Sequence, residues 1–167
     1  MEVIGISGWS GNGKTTLLAK LIPELIDRGY SVSTLKHAHH RFDIDHPGKD
    51  SHRHRKAGAK EVMISSKTRW ALMHENTDDE EASIDELIAH MAPVDFLLIE
   101  GFKKENFPKI EICRNDTDNE PLYKNDSSVV AVATDREDIT TDLPILNLNN
   151  TAEIADFIIS RSAFGGQ

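Results

Sequence analysis

Apolar residues near the start of the chain follow first a strand pattern and then a helix pattern. Residues 3–7 are almost continuously apolar and end in a glycine-rich turn, which predicts a buried strand. Residues 15–28 place apolar side chains at helical spacing, with Gly29 as a C-terminal stop and Pro23 as an expected kink. Residues 31–36 are predicted to form a second strand. These elements predict a right-handed strand–helix–strand unit.

The rest of the chain continues this alternation of strands and helices. Further strands are predicted over residues 61–65, 68–73, 95–99, 109–114, 128–133 and 145–148, and helices over 84–91 and 152–159. Segment 95–99 is apolar throughout, which is typical of a central strand in a parallel sheet. The polar segments 74–81 and 115–125 are predicted to be connectors. The pattern predicts a single α/β domain over residues 1–167, with three layers: a mostly parallel central sheet and helices on both faces.

Composition narrows the functional classes. The 167 residues, 38% hydrophobic and 28% charged, fit one globular domain with a real core. No apolar run approaches the roughly 20 residues that cross a bilayer, and the N-terminus lacks signal-peptide features, so we expect a cytoplasmic protein without membrane attachment. The net charge of −9 makes nucleic acid a poor candidate partner. The single cysteine, Cys113, lies in an apolar alternation, where we expect it to pack.

The turn after the first strand matches the phosphate-binding pattern G-x-x-x-x-G-K-[ST]. Its residues, followed by Thr16, are Gly8-Trp9-Ser10-Gly11-Asn12-Gly13-Lys14-Thr15. The glycines allow backbone amides to surround a phosphate, Lys14 can reach the β- and γ-phosphate oxygens, and the Thr15 hydroxyl can bind Mg²⁺. The start of the helix adds its positive dipole end. We therefore predict that residues 8–16 bind a nucleotide, rather than forming only a structural turn.

An acidic residue follows the apolar strand 95–99. P-loop proteins place a metal-orienting carboxylate at the end of such a strand, so Glu100 is the candidate for holding Mg²⁺ through a water, or for activating a water. Lys14 and Glu100 are accordingly the first two candidate catalytic residues. Gly101 would allow either the close approach of a phosphate or a tight turn. The alternative is that Glu100 only caps the strand.

Residues 36–60 form a basic island in an acidic chain. They include seven Lys or Arg against three Asp, a local charge of +4, and six of the eight histidines. Because residues 37–58 show no clean periodicity, we predict a long basic, His-rich functional loop there. Its position after a phosphate site indicates a bound anion rather than only a solvated surface.

Particular side chains of the basic island are candidates for contact with that anion. Lys36, Arg53 and Arg55 are predicted to face polyphosphate or a phosphorylated pterin, and Arg55 or Arg53 to supply transition-state charge as an arginine finger, with Arg55 the catalytic candidate. Asp45 or Asp50 would order the water ligands of Mg²⁺. A zinc site is the less favoured alternative, because the cations would repel a dication; its candidate ligands are His37, His39, His40, Asp43, Asp45 and Asp50.

Four motifs together resemble one protein family. They are residues 8–16, Lys36-His37-Ala38-His39-His40, residues 43–51, and Ile99-Glu100-Gly101-Phe102-Lys103. Over nearly its whole length, the chain is similar to the molybdopterin-guanine dinucleotide biosynthesis protein B family. The resemblance implies a P-loop NTPase fold, GTP and Mg²⁺ as ligands, weak GTPase activity and a homodimer. It also implies an adaptor role beside the guanylyltransferase that joins GMP to molybdopterin, with molybdopterin as a further candidate ligand.

Some features of the sequence depart from related P-loop proteins. Trp9 stands where some dimeric relatives carry a lysine finger, and the only glutamine is Gln167, so a glutamine cannot position an attacking water in the usual way. We therefore expect slow hydrolysis. The guanine-reading motif Asn-Lys-x-Asp is absent, and Asp135 is its nearest equivalent. Asp135 either accepts hydrogen bonds from guanine N1 and N2 or is a turn residue.

A small-molecule kinase is the alternative function on the same phosphate loop. A kinase lid with paired arginines is not apparent, since residues 109–125 offer only Arg114, but Asp43 or Asp45 could act as the base for an acceptor hydroxyl. A purely structural adaptor that binds nucleotide without turnover is a second alternative. The strand pair at 61–73 could extend a sheet between two subunits, which supports the expected homodimer.

Overall fold

A computed structural model of the protein describes residues 1–38, 42–76, 81–114 and 119–164. The chain forms two compact units, Met1–His37 with Pro93–Gln167, and Ala38–Ala92. The candidate ligands His39 and His40, and parts of the connectors 74–81 and 115–125, lie outside the described residues. In the described segments, no helix is both long and apolar enough to cross a bilayer.

The elements follow one another largely as the sequence predicts. In chain order they are β1 (Glu2–Ser7), α1 (Lys14–Asp27), β2 (Val32–Lys36), α2 (Asp50–Lys56), β3 (Glu61–Ser65), β4 (Trp70–His74), α3 (Ile84–Ala89), β5 (Phe96–Glu100), β6 (Lys109–Cys113), a 3₁₀ turn (Leu122–Lys124), β7 (Val129–Thr134), β8 (Ile145–Asn147) and α4 (Thr151–Arg161).

The first unit is built on a six-stranded sheet with the order β2-β5-β1-β6-β7-β8. Every neighbouring pair in this sheet is parallel. The predicted α/β class with a parallel central sheet is therefore confirmed. In the register of β1 and β5, Ile6 lies opposite Glu100, so the strand before the phosphate loop and the strand before Gly101 end at the same edge. In such sheets ligands bind beyond the carboxyl ends of the strands.

One face of the six-stranded sheet holds the apolar core, and both α1 and α4 pack against it. Alternate strand residues point into this core, as the twofold repeat of a strand requires. They include Ile4, Ile6, Phe96, Leu98, Ile110, Ile112, Ala131 and Ala133. Helix α1 buries Leu17, Leu18, Leu21 and Leu25, continues through the exposed Pro23, and ends before Gly29, whose φ is 90°. The predicted stop at Gly29 is confirmed.

On the opposite face of the sheet, β6 carries two buried polar side chains, Lys109 and Glu111. The Lys109 ammonium is 1% exposed and donates to the Lys103 carbonyl, an Asp126 carboxylate oxygen and the Ser128 hydroxyl, each at 2.9 Å. The Glu111 carboxylate, two residues along the strand, accepts from the backbone N–H groups of residues 122 and 123 at 2.8 Å. These side chains fasten the segments after β5 and before β7 onto the sheet.

The second unit contains α2, α3 and an antiparallel hairpin of β3 and β4. The hairpin is confirmed, although β4 begins at Trp70 because residues 66–69 form the turn. Within the predicted loop 37–58 the structure forms a helix, α2, so the prediction of an unbroken loop is wrong there. Helix α2 buries no residue, so its sequence has no apolar residues at helical spacing that would predict it. Helix α3 begins with a capping box between Ser83 and Glu86.

Candidate functional site

The phosphate loop adopts a backbone conformation that requires glycine at two positions. Gly8 has a φ of 133°, and a Cβ there would lie 2.6 Å from the Ile112 carbonyl oxygen. Gly13 has a φ of 89° and occupies the N-cap position of α1. Within the described part of the chain, no side chain caps this helix and no acidic residue lies in its first turn. The positive end of α1 is therefore left available for an anion.

Lys14 and Asn12 are both engaged with the loop. The Lys14 ammonium donates to the carbonyl oxygens of Gly8 and Trp9 at 2.9 and 3.0 Å, so its side chain lies along the loop. Burial lowers the pKa of Lys14, and the positive charge of Lys103 lowers it further. The buried Asn12 amide donates to the Ile112 carbonyl at 2.8 Å, which fastens the loop to β6.

The predicted metal residues lie together at the start of α1. The Thr15 hydroxyl lies 3.1 and 3.2 Å from the two carboxylate oxygens of Glu100. The Lys36 ammonium, at the end of β2, is 3.2 Å from one of those oxygens, and the Glu100 side chain is only 12% exposed. A hydroxyl and a carboxylate beside a phosphate loop are the oxygen ligands that Mg²⁺ uses with nucleotides. The residues present therefore fit Mg²⁺, which Thr15 and Glu100 would hold.

Gly101 makes the turn after β5 possible. Its φ is 100°, and a Cβ at this position would lie 2.7 Å from the Cβ of His37, at the end of β2. The next residue, Phe102, also has a positive φ, of 48°, and its ring stacks on the His37 ring with centroids 4.6 Å apart. Of the two roles predicted for Gly101, the structure supports the tight turn. This turn directs Lys103 back across the phosphate loop.

Lys103 and Trp9 form a contact that sequence reasoning missed. The Lys103 ammonium lies 4.0 Å from the centroid of the Trp9 ring, a cation–π distance. The indole N–H of Trp9 donates to the Glu120 carbonyl at 3.0 Å. A signal for Lys103 was present in the sequence, because it follows Glu100 by three residues at the carboxyl end of a parallel strand.

Asp135 lies at the same edge of the sheet, directly after β7. Its carboxylate accepts from the Arg114 guanidinium at 3.1 Å, and another Arg114 nitrogen lies 3.5 Å from a Cβ built on Gly13. Asp135 also lines an open cavity of about 430 Å³ with Thr134, Arg136, Ile145, Leu146, Asn147, Asn149 and Glu153. The site therefore includes Arg114 and Asn149, which sequence reasoning did not assign to it. Arg114 directly follows β6 and Asn149 lies just beyond β8. Both residues thus lie at the carboxyl ends of strands, and this position could have indicated them as site residues.

Asp45 and Arg55 lie in the second unit and bind each other. The Arg55 guanidinium donates to both Asp45 carboxylate oxygens, at 2.7 and 3.4 Å, to Asp43 at 2.7 Å and to Glu75 at 3.4 Å. Hydrogen bonds from Arg55 hold the pKa of the buried Asp45 carboxyl below its ordinary value, and the same bonds raise the pKa of Arg55. This pairing joins residues 43–45 to α2. The kinase base candidates, Asp43 and Asp45, are thus both engaged with an arginine.

The less favoured zinc site would need several His and Asp side chains of residues 37–50 to lie close together. Across residues 1–38, 42–76, 81–114 and 119–164, no group of three or more His, Cys, Asp or Glu side chains lies close enough together to hold a metal ion.

Comparison with known proteins assigns the chain to a family. A model of the family described as "Molybdopterin guanine dinucleotide synthesis protein B" (MobB) matches residues 3–135, well over half of the chain. The chain belongs to the MobB family. This confirms the resemblance inferred from residues 8–16 and from the motifs around Lys36, Asp45 and Glu100.

Curated relatives with high identity carry one shared description. The chain is 42% identical over 162 residues to the "Molybdopterin-guanine dinucleotide biosynthesis adapter protein" of Escherichia coli K12, covering 95% of this chain and 92% of that protein. It is 44% identical over 160 residues to the protein of the same description in Haemophilus influenzae, covering 95% and 88% of the two chains. Both relatives are matched over most of their length.

Solved structures of MobB proteins share the fold. The crystal structure of Bacillus subtilis MobB matches all of this chain and all of that chain, with a TM-score of 0.75 and 23% identity. A crystal structure of molybdopterin-guanine biosynthesis protein B matches with a TM-score of 0.74 and 24% identity, over 95% of this chain and 98% of that one. At these identities the likeness shows the fold, and it agrees with the parallel sheet described above.

Proposed function

We propose that the protein is a GTP-binding adaptor in the biosynthesis of molybdopterin guanine dinucleotide, assisting the guanylyltransferase that attaches GMP to molybdopterin. The observation that carries this proposal is the Thr15–Glu100 pair beside Lys14 and the start of α1, in a chain of the MobB family. Its relatives at 42% and 44% identity are named as adapter proteins of this biosynthesis.

Binding of a magnesium–nucleotide complex is supported by the charges and donors of the first unit. The phosphate loop offers backbone amides, the start of α1 and the Lys14 ammonium to the phosphates. Thr15 and Glu100 offer oxygen ligands to Mg²⁺, which neutralises charge on the same phosphates. Lys36, 3.2 Å from Glu100, adds a second cation on the metal side.

Selection of guanine is proposed to depend on Asp135. Its carboxylate stands beyond β7 and close to Arg114, which in turn lies beside Gly13 at the start of α1. A carboxylate there can accept from guanine N1 and N2, whereas adenine presents no pair of donors on that edge. The neighbouring cavity of about 430 Å³ leaves room for a base.

Hydrolysis of the bound GTP is proposed to be slow. The residues that the structure describes contain no glutamine, so they offer no counterpart of the water-positioning glutamine of fast GTPases. Both carboxylate oxygens of Glu100 lie within hydrogen-bonding distance of Thr15, which suits orientation of the metal more than activation of a water. The protein is then at most a slow GTPase.

The adaptor role also implies partners that remain proposals. These are the guanylyltransferase itself, molybdopterin as a further ligand, and a second copy of the chain in a homodimer. A cytoplasmic location, expected from the sequence, is proposed with them. Co-sedimentation of the protein with the guanylyltransferase, with and without GTP, tests the first of these.

Calorimetric titration with GTP, ATP and GDP, with and without Mg²⁺, tests the nucleotide proposal. We expect Mg²⁺-dependent binding of GTP that is tighter than binding of ATP and is abolished in Lys14→Ala. The matched control is Lys67→Ala, an exposed lysine in the hairpin turn, which should bind as the parent does. Tighter binding of ATP would overturn the guanine assignment, and parental binding by Lys14→Ala would overturn the site.

A further inference from the structure

We propose that Lys103 is a triphosphate-binding residue: its ammonium group rests on the Trp9 ring and moves to the terminal phosphate of a bound nucleotide. The inference rests on the proposed nucleotide site and adds to it a residue that distinguishes a triphosphate from a diphosphate. It starts from the contact of the Lys103 ammonium with the Trp9 ring, 4.0 Å from its centroid.

The main chain around Lys103 is fixed and positions its side chain beside Trp9. Gly101 and Phe102 both have positive φ values, 100° and 48°, and turn the chain sharply after Glu100. The Lys103 carbonyl then accepts from the Lys109 ammonium at 2.9 Å, and Lys109 is itself 1% exposed. The main chain at residue 103 is thus held, while the half-buried side chain retains its reach.

The Trp9 ring is an oriented support for the ammonium group. Its indole N–H donates to the Glu120 carbonyl at 3.0 Å, which fixes the plane of the ring. Trp9 is the second residue of the phosphate loop, so a cation on its ring lies next to the phosphates. A cation–π contact is weaker than a charge-assisted hydrogen bond to a phosphate oxygen, so a suitably placed phosphate should attract the ammonium away from the ring.

Charge at the site favours such a move. Among the described residues, Lys103, Lys36 and Glu100 place two positive charges and one negative charge near Lys14. The Lys14 ammonium donates to the Trp9 carbonyl and the Lys103 ammonium lies on the Trp9 ring, so two like charges are held at this loop and repel each other. A polyphosphate between them would replace this repulsion with attraction to both.

The position of Lys103 assigns it to the terminal phosphate. The start of α1 would bind the inner phosphates, and Lys14 would reach the β- and γ-phosphate oxygens, as in other phosphate loops. Lys103 follows Glu100, the candidate Mg²⁺ residue, by three positions, and its ammonium group and the Lys14 ammonium group both contact Trp9. Loss of the Lys103 charge should therefore weaken binding of a triphosphate while leaving binding of a diphosphate unchanged.

The test compares Lys103→Met with the matched control Lys104→Met. Lys104 is the exposed neighbour, and its replacement removes the same charge one position away. Affinities are measured for Mg·GTP and Mg·GDP, and for the base-free probes tripolyphosphate and pyrophosphate. We expect Lys103→Met to lower the preference for triphosphate over diphosphate by about tenfold, and Lys104→Met and Lys103→Arg to keep it.

Tryptophan fluorescence gives a second readout. The chain has two tryptophans, so Trp70→Phe leaves Trp9 alone. In this background we expect Mg·GTP and tripolyphosphate to change the Trp9 emission more than their diphosphate counterparts do, and Lys103→Met to abolish the difference. An unchanged triphosphate preference in Lys103→Met overturns the inference.

The probes separate this inference from the proposed function. A triphosphate preference that depends on Lys103, without preference for guanine, would support the inference and overturn GTP as the ligand. If the parent prefers GTP over ATP and Lys103→Met keeps the parental preference for triphosphate, the proposed function would be supported and the inference about Lys103 overturned. Failure of the parent protein to bind any polyphosphate would overturn both.

Discussion

The Thr15 hydroxyl lies 3.1 Å from a carboxylate oxygen of Glu100, 85 positions later in the chain. The parallel register of β1 and β5 makes this contact possible, because Ile6 lies opposite Glu100 and both strands end at the same edge. Two motifs predicted separately from the sequence, the phosphate loop and the acidic strand end, are thereby joined. The pair defines where Mg²⁺ would be held against a nucleotide.

Replacement of Thr15 should remove the contribution of Mg²⁺ to nucleotide binding. Thr15→Val keeps the shape of the side chain but loses the hydroxyl ligand. We expect the affinity for GTP to fall about tenfold with Mg²⁺ present and to stay near the parental value without it. Calorimetry in both conditions makes the comparison. Thr16→Val, the same change one residue later, should keep its response to Mg²⁺; a parental Mg²⁺ response in Thr15→Val would contradict the assignment.

Replacement of Asp135 should change the choice of base. Asp135→Asn removes an acceptor of the guanine N1 and N2 donors and puts a competing donor in its place. We expect the affinity for GTP to fall at least about tenfold while the affinity for ATP is unchanged. Competition against a fluorescent nucleotide measures both. Asp138→Asn is the control, since Asp138 instead pairs with Arg136. Equal losses of affinity for GTP and ATP would show that Asp135 supports the structure of the site and does not recognise guanine.

Much of the first unit could be predicted from the sequence because its elements have strong local signals. Continuous apolar runs predicted β1 and β5, and the phosphate loop lies between a strand and an amphipathic helix. Parallel strands bring their carboxyl ends to one edge, so Glu100 and Asp135 could be named as site residues before the structure. Hydrophobic burial against α1 and α4 enforces this pattern.

Other parts of the structure had no such signal. Helix α2 is polar on all sides and buries no residue, so nothing in its hydrophobic pattern distinguishes it from a loop. The place of Lys103 depends on a positive φ at Phe102, which a residue with a side chain seldom adopts and composition does not reveal. The ion pairs of Arg55 depend on long-range folding of residues 43–75, so its charge alone did not predict these partners.

Glu111 should stabilise the fold by holding the segment around the 3₁₀ turn. Its fully buried carboxylate accepts from the backbone N–H groups of Leu122 and Tyr123, and burial raises its pKa. Glu111→Ala leaves both donors without this acceptor, so we expect the free energy of unfolding to fall by about 2 to 5 kcal/mol. Urea denaturation measures the loss.

The matched variant for this prediction is Glu111→Gln. Its remaining carbonyl oxygen can accept from one of the two N–H groups, so the loss should be smaller than in Glu111→Ala. Equal stability of the parent and Glu111→Ala would show that the segment is held by other contacts, such as those of Lys109 with Asp126 and Ser128.

Cys113 should react slowly with thiol reagents, with an unusual dependence on pH. Burial and the nearby Glu111 charge raise the pKa of its thiol from 9.0 to about 12. Because the thiolate is the reactive form, labelling of the folded protein should increase about tenfold per pH unit from pH 8 to 10, without levelling off near pH 9. The same raised pKa means that folded stability declines as pH rises above about 9, where the unfolded thiol ionises first.

Labelling of this chain reports on one site, since Cys113 is its only cysteine. Stopped-flow or spectrophotometric labelling in buffer and in urea makes the comparison. In urea the thiol should react at the rate of a free cysteine, and Cys113→Ser should show no labelling in either condition. A plateau near pH 9 in the folded protein would show that the thiol is accessible to water.

The hairpin of the second unit should mediate a homodimer. Met63 and Leu72 lie opposite each other on one face of the hairpin, with Trp70 on the same face, and they are 62%, 36% and 64% exposed. An apolar face of this kind on a two-stranded hairpin is suited to pairing with a second copy. We expect a dimer at micromolar concentration and a monomer for Trp70→Glu, as measured by analytical ultracentrifugation. Ile26→Lys is the control, at an apolar position on α1 that is 52% exposed, and it should remain dimeric. A monomeric parent would refute the interface.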